Sequence, residues 1–277
     1  MLYSKKVQTS GKNDSLSQVF ELIVPNSCVL DIGCATGGLA KQLFAQKQCS
    51  VFGLEQNPKS VALCQKSQSF AEVSVFDLNK LTSSDFPSYK SKFDYIVCAD
   101  VLEHLQNPPK TIEILQNLLK KDGKFIISLP NVAHASIKTN LLLNDFSYTE
   151  IGILDKTHLH FYTYKSIAEL LSQQNLKIEQ ARAITMPLDG WQPNKFSQLL
   201  PEIRNFISQD KHSHIMQYVV LASQSVNTSK LKYHNLNLLK NIAASPQKNT
   251  LIWQTKRLII NRYPTLLKCI EKITSKF

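Results

Sequence analysis

The run Val29-Leu30-Asp31-Ile32-Gly33-Cys34-Ala35-Thr36-Gly37-Gly38 constrains this chain more than any other feature. An apolar stretch ends abruptly in a glycine-rich turn, and a helical run over residues 39–48 follows. That order reads as a strand feeding a helix through a tight loop, where a ligand can approach bare backbone and an anion can meet the free N–H groups of the helix start. A second strand, 51–54, ends at Glu55, 22 positions beyond Gly33. A carboxylate placed there can accept both hydroxyls of a ribose, each charge-assisted bond contributing about 1.5–3 kcal/mol. A dinucleotide-binding domain would share all of this. The discriminating residue is Ala35, because the GxGxxG pattern wants a glycine there to let a pyrophosphate touch the backbone. Its methyl group obstructs that approach, and a ligand without a pyrophosphate has less need of it.

Strand and helix signals keep alternating downstream. Strands are expected at 27–32, 51–54, 72–76, 93–99 and 124–129, and helices at 39–48, 58–67 and 109–121, the last closed by Asp122-Gly123. An irregular stretch with helical pieces (131–162) and a helix (164–174) follow, then two late strands, 176–185 and 214–222, joined by a long excursion. Repeated β/α units require a sheet covered on both faces. The expected fold is therefore α/β: a Rossmann-like, mostly parallel seven-stranded sheet with helices on both faces, an antiparallel last strand, and a C-terminal helical tail. The domain reading is an N-terminal helical segment (1–24), a main domain (25–222), a polar linker (223–250) and a basic amphipathic tail (251–277).

The net charge of +11 suggests nucleic acid until it is located. Residues 226–277 hold ten Lys/Arg and one acid, Glu271, whereas residues 1–225 hold 22 Lys/Arg and 20 Asp/Glu. The body is nearly neutral, so nucleic acid is not the expected partner. Six cysteines show no CxxC pair and no Cys/His ligand spacing, which suits a reducing compartment and predicts no metal. No stretch resembles a signal peptide or a membrane span, so the expected location is cytoplasmic, or peripheral on the inner face of a membrane.

VLDIGCATG, Gly53-Leu54-Glu55, Phe76-Asp77-Leu78 and FDYIVCADVLEHL, in that order, resemble the successive motifs of class I S-adenosylmethionine-dependent methyltransferases. The resemblance covers roughly residues 25–222. It implies S-adenosylmethionine as cofactor, with Asp31, Gly33, Ala35 and Gly37 around its methionine moiety and Glu55 on the ribose. Asp77 and the backbone of Leu78 would hold the adenine. The family loop is usually GxGxG, so Ala35 departs from it. Asp100 and His104, in the segment after the fourth strand, are expected to line the same pocket, while Glu103 reads as a helix-start residue. Leu129-Pro-Asn131-Val-Ala-His134 and Gly152-Ile-Leu-Asp155-Lys-Thr-His158-Leu-His160-Phe-Tyr-Thr163 are similar to stretches in methyltransferases of cell-envelope polysaccharide gene clusters and to domains related to quinone O-methyltransferases.

A sulfonium is a good leaving group, so methyl transfer asks mainly for in-line positioning in a dry pocket. A sugar or phenol hydroxyl is a poor nucleophile at neutral pH, and a histidine is the usual base. The candidates are His158, oriented by Asp155 if 155–158 forms one helical turn, then His134 and His160. Asn131 and His160 are candidate substrate contacts. The leading reading is transfer to a hydroxyl of a sugar, glycan or other small molecule. The alternatives are an RNA methyltransferase and a non-catalytic binding module of the same fold. In the tail, Leu266, Leu267, Ile270, Ile273 and Phe277 recur at helical spacing opposite Lys268, Lys272 and Lys276. That pattern suits an anionic membrane surface, the body of the protein or a second subunit, and the oligomeric state stays open.

Overall fold

The computed structural model describes residues 13–190, 192, 194–225 and 231–240. The expected tail and the first part of the N-terminal segment lie outside these residues. In chain order the elements are α1 (Ser15–Leu22), β1 (Cys28–Ile32), α2 (Gly38–Lys47), β2 (Ser50–Glu55), α3 (Pro58–Gln65), β3 (Glu72–Val75), β4 (Phe93–Ala99) and α4 (Pro108–Gln116). They continue with β5 (Leu119–Pro130), α5 (Ala135–Leu142), α6 (Tyr164–Gln173), β6 (Leu176–Thr185), α7 (Pro201–Gln209), β7 (Ile215–Gln224) and α8 (Leu231–Lys240).

The strands form one seven-stranded sheet in the order β3-β2-β1-β4-β5-β7-β6. β1 to β5 run parallel, and β7 lies antiparallel between β5 and β6. Strand alternation sends successive apolar residues to opposite faces. Leu30, Ile32, Ile96, Cys98, Phe125 and Ile127 pack with Ile112 and Leu115 of α4 and Ile167 and Leu171 of α6. On the other face Val29, Val51, Tyr95, Val97 and Ile126 meet Val19 and Leu22 of α1 and Leu39 and Leu43 of α2. Chain order reverses direction between β1 and β4, so a crevice opens at the carboxyl ends of those two strands.

Two expectations change. The helix expected over 109–121 ends at Gln116, and residues 119–123 belong to β5. Leu119 pairs with Phe93 and Lys124 with Tyr95, so the intervening residues bulge out of the ladder. Asp122-Gly123 is therefore part of this bulge and not a helix stop. A Cβ on Gly123 would stand 2.8 Å from the Phe93 carbonyl oxygen, which makes the close approach specific to glycine. Strand pairing here outweighed helical periodicity.

The second change concerns the expected polar linker. β7 runs to Gln224, and residues 231–240 form α8, packed against α6 and β6. Asn235 is fully buried. Its Oδ1 accepts from the Ile178 N–H (2.9 Å), and its Nδ2 donates to the Leu176 carbonyl (2.9 Å) and to Ser172 Oγ (3.1 Å). His234 Nε2 donates to the Ile178 carbonyl at 3.0 Å. A composition rich in Asn and Lys hid this helix, because its anchor is a polar residue. No helix among the described residues is long and apolar enough to cross a membrane.

Candidate active site

The glycine-rich loop leaves β1 in left-handed backbone at three alternate residues: Gly33 (φ 67°), Ala35 (φ 48°) and Gly37 (φ 76°). Gly37 caps α2, and a Cβ on it would stand 2.7 Å from the Phe70 ring. At Ala35 the same geometry costs a non-glycine residue about 1–2 kcal/mol. The loop is braced from β2. Glu55 Oε2 accepts from the Ala35 N–H at 3.0 Å, and Oε1 accepts from the Asn57 N–H at 2.8 Å. Each carboxylate oxygen keeps a further lone pair for a ribose hydroxyl.

Asp31 is buried beside it, and burial first, then the Glu55 charge, pushes its carboxyl up to about 7. Two carboxyl groups this close, under a loop whose backbone lies open, fit a ligand that brings a cation and a diol together. S-adenosylmethionine carries both. Asp77 accepts from the Asn79 N–H at 3.0 Å and lies 3.8 Å from Lys80 Nζ; Leu78 opens the short turn that follows β3. Asp100, in left-handed backbone after β4 (φ 57°), takes hydrogen bonds from Ser128 Oγ (3.1 Å) and Gln217 Nε2. These two partners, from β5 and β7, fix a residue that the sequence tied only to its own motif.

Beside this crevice the structure brings together residues 54 apart in the chain. The rings of His104 and His158 meet edge to face, their centroids 4.7 Å apart. His158 Nδ1 lies 3.1 Å from the Ile153 carbonyl, and His104 Nδ1 lies 3.2 Å from the Thr157 carbonyl and 3.1 Å from Thr157 Oγ1. A carbonyl only accepts, which assigns the N–H to Nδ1 in both rings and leaves each Nε2 as a lone-pair acceptor. Burial, then the neighbouring His104, lowers the pKa of His158 below its ordinary value. Glu103, His104 and His158 offer ligand atoms all within 4.8 Å of one another, a spacing that admits a divalent cation. Sequence spacing gave no sign of this cluster.

Several expected roles are corrected. Residues 155–158 do not let Asp155 orient His158. Asp155 Oδ1 accepts from the Thr157 N–H (2.8 Å) and Oγ1 (2.7 Å), so it steadies His104 through Thr157. His134 is fully buried at the start of α5. Its Nδ1 accepts from the Ser136 N–H and hydroxyl, its Nε2 donates to the Met186 carbonyl, and burial pushes its pKa down to about 4. Neither nitrogen is left to take a proton. Asn131 is equally buried: its Nδ2 donates to the His212 and Ile215 carbonyls, and its Oδ1 accepts from the Ala133 N–H. It ties β5 to the entry of β7 instead of facing substrate. Nothing overturns His160, which stands half-buried beside Tyr162 with its backbone N–H donating to the Glu103 carbonyl. An aromatic group, Phe161 with Phe146 and Tyr148, extends from His158 to the exterior.

A strand order with an antiparallel seventh strand and a ligand loop after β1 defines the class I methyltransferase fold. A family model described as a methyltransferase domain matches residues 5–181, and the chain belongs to that family of class I S-adenosylmethionine-dependent methyltransferases. It is similar to the ubiquinone biosynthesis O-methyltransferase of Actinobacillus pleuropneumoniae serotype 5b, at 28% identity over 149 residues, 52% of this chain and 62% of that one. The protein of the same name from Glaesserella parasuis serovar 5 is 32% identical over 160 residues, covering 55% and 66%. The chain thus matches less than two thirds of the length of these relatives. Among solved structures, the YcgJ protein of Bacillus subtilis superposes with a TM-score of 0.51 at 16% identity, covering 76% of this chain and 98% of that one. A segment named StiE O-MT gives 0.54 at 14% identity, covering 82% and 80%. These likenesses concern the fold.

Proposed function

We propose that the protein transfers a methyl group from S-adenosylmethionine to a hydroxyl of a small molecule, with His158 as the base. The observation that carries this is the ring of His158, held by the Ile153 carbonyl so that Nε2 keeps its lone pair. When bound, S-adenosylmethionine supplies the methyl on a sulfonium that departs without protonation. Asp31 and Glu55 bind its charged and hydroxylated parts, and Asp77 with Leu78 receive the adenine. His158 Nε2 takes the acceptor proton as the oxygen attacks, and His104 lines the same wall. The relatives named O-methyltransferases support an oxygen acceptor. A phenol or a sugar, including a glycan hydroxyl, satisfies this chemistry. The test is S-adenosylhomocysteine formation across a panel of phenols and sugars; turnover only with amines, or none with S-adenosylmethionine bound, would overturn it.

A second reading follows from Glu103, His104 and His158 lying within one coordination sphere. There a divalent cation would bind the acceptor oxygen and lower its pKa, replacing the base. Activity abolished by chelator and restored by Mn2+ or Zn2+ would select it. We further propose that the protein works in the cytoplasm, with the basic, amphipathically patterned segment 251–277 contacting anionic lipid. Co-sedimentation with anionic liposomes that persists after removal of 251–277 would refute that contact.

A further inference from the structure

The segment between β6 and β7 forms an open cleft that methyl transfer leaves unused. Leu188, Asp189, Asn194, Phe196, Ser197 and Arg204 line a cavity of 260 Å3. A cavity of about 150 Å3 takes a benzene ring, so a ring with a substituent fits here. Arg204 projects from α7, and its Nε is shielded from solvent without a hydrogen-bond partner among the described residues. An N–H donor shielded from water and left without an acceptor is costly, even on a side chain that is otherwise half-buried. Two nearby carboxylates serve other cations, Asp145 binding Lys195 and Asp210 binding Lys138.

We propose that this cavity binds one anionic group, a carboxylate or phosphate monoester, carried on an aromatic or similarly apolar body. The guanidinium presents a planar fork that matches either oxyanion. Phe196 and Leu188 supply apolar lining for the body, and Asn194 and Ser197 supply polar lining. The cavity shares no residue with the glycine-rich loop or with the His104–His158 pair, so the proposal stands apart from the methyl-transfer reading.

Calorimetric titration of the full-length protein with phenyl phosphate and with benzoate, with and without saturating S-adenosylhomocysteine, tests it. One of the two probes should bind at a single site in both conditions, and neutral benzyl alcohol should bind at least tenfold more weakly. Arg204→Gln should weaken the anionic probe at least tenfold and leave S-adenosylhomocysteine affinity unchanged. Asn194→Asp adds a negative charge to the lining without removing the guanidinium, and it should weaken the probe comparably even if Arg204→Gln fails to fold. The proposal is overturned if neither anion binds, if Asn194→Asp binds the probe as tightly as the unaltered protein, or if S-adenosylhomocysteine displaces it.

Discussion

The proposed donor side and the proposed acceptor side of this crevice are built by different means. Asp31, Glu55 and Asp77 span 46 positions, each within two residues of the carboxyl end of successive strands β1, β2 and β3. Their placement follows from the strand order alone. On the acceptor side, His104 and His158 meet across 54 residues, and their rings are fixed by backbone carbonyls of the 153–157 turn. Donor-side chemistry is therefore written into local motifs, whereas acceptor-side chemistry depends on how a long irregular segment folds back. Under the proposed function, substrate specificity changes by remodelling that segment without touching the glycine-rich loop.

The sharpest way to break this contrast is His158→Gln, which should lower turnover about 10²–10⁴-fold with S-adenosylmethionine affinity nearly unchanged. Single-turnover kinetics and calorimetry measure the two halves separately, and equal losses in both would erase the division. Next in size, Glu55→Ala should weaken S-adenosylmethionine binding by roughly 2–4 kcal/mol, because ribose hydroxyls and the Ala35 N–H lose a charged acceptor together.

A pH effect comes third. Asp31 is held near 7 by burial and Glu55, so below that pH it is mostly neutral. A cation bound beside it favours the ionised form, and affinity should rise about tenfold from pH 6 to pH 8 with release of a proton. Calorimetry in buffers of different ionisation enthalpy reads that proton directly. By the same linkage, the raised carboxyl costs the unliganded fold stability as pH climbs from 3.8 to about 7.

His134→Gln is a control within the acceptor side. It should lower the melting temperature by several degrees while turnover changes by no more than about threefold, since Nδ1 caps the start of α5 and Nε2 ties it to the Met186 carbonyl after β6. The smallest effect belongs to Ala35→Gly. Relief of left-handed strain should raise stability by about 0.5–1 kcal/mol, offset in part by glycine's freedom in the unfolded chain, and denaturant unfolding would resolve it.

The same contrast governs what the sequence made legible. Strand–turn–helix periodicity and the placement of Asp31, Glu55 and Asp77 depend on neighbours in the chain, so the donor half and all seven strands could be read. His134 and Asn131 looked like chemistry because they are polar residues beside a strand end. Their hydrogen bonds instead run to Met186, His212 and Ile215, more than 50 positions away, where no local pattern could reveal them. The Glu103–His104–His158 cluster failed to show for the same reason. α4 was overextended because Leu118 and Leu119 suit a helical face as well as a strand, and only the pairing of Leu119 with Phe93 decides between them.

The docking of α8 has a consequence for how the molecule behaves in a crowded solution. β6 is the last strand of the sheet, and an outer strand with free N–H and C=O groups is a template on which another chain can add. The Asn235 amide imitates a peptide group there, answering the N–H of Ile178 and the carbonyl of Leu176, while His234 takes the Ile178 carbonyl. A segment that reads as a spacer is thus a guard on the open margin of the sheet. A chain shortened to Ser225 would uncover that margin and become prone to edge-to-edge self-association, so any truncation meant to isolate the basic tail belongs after Lys240.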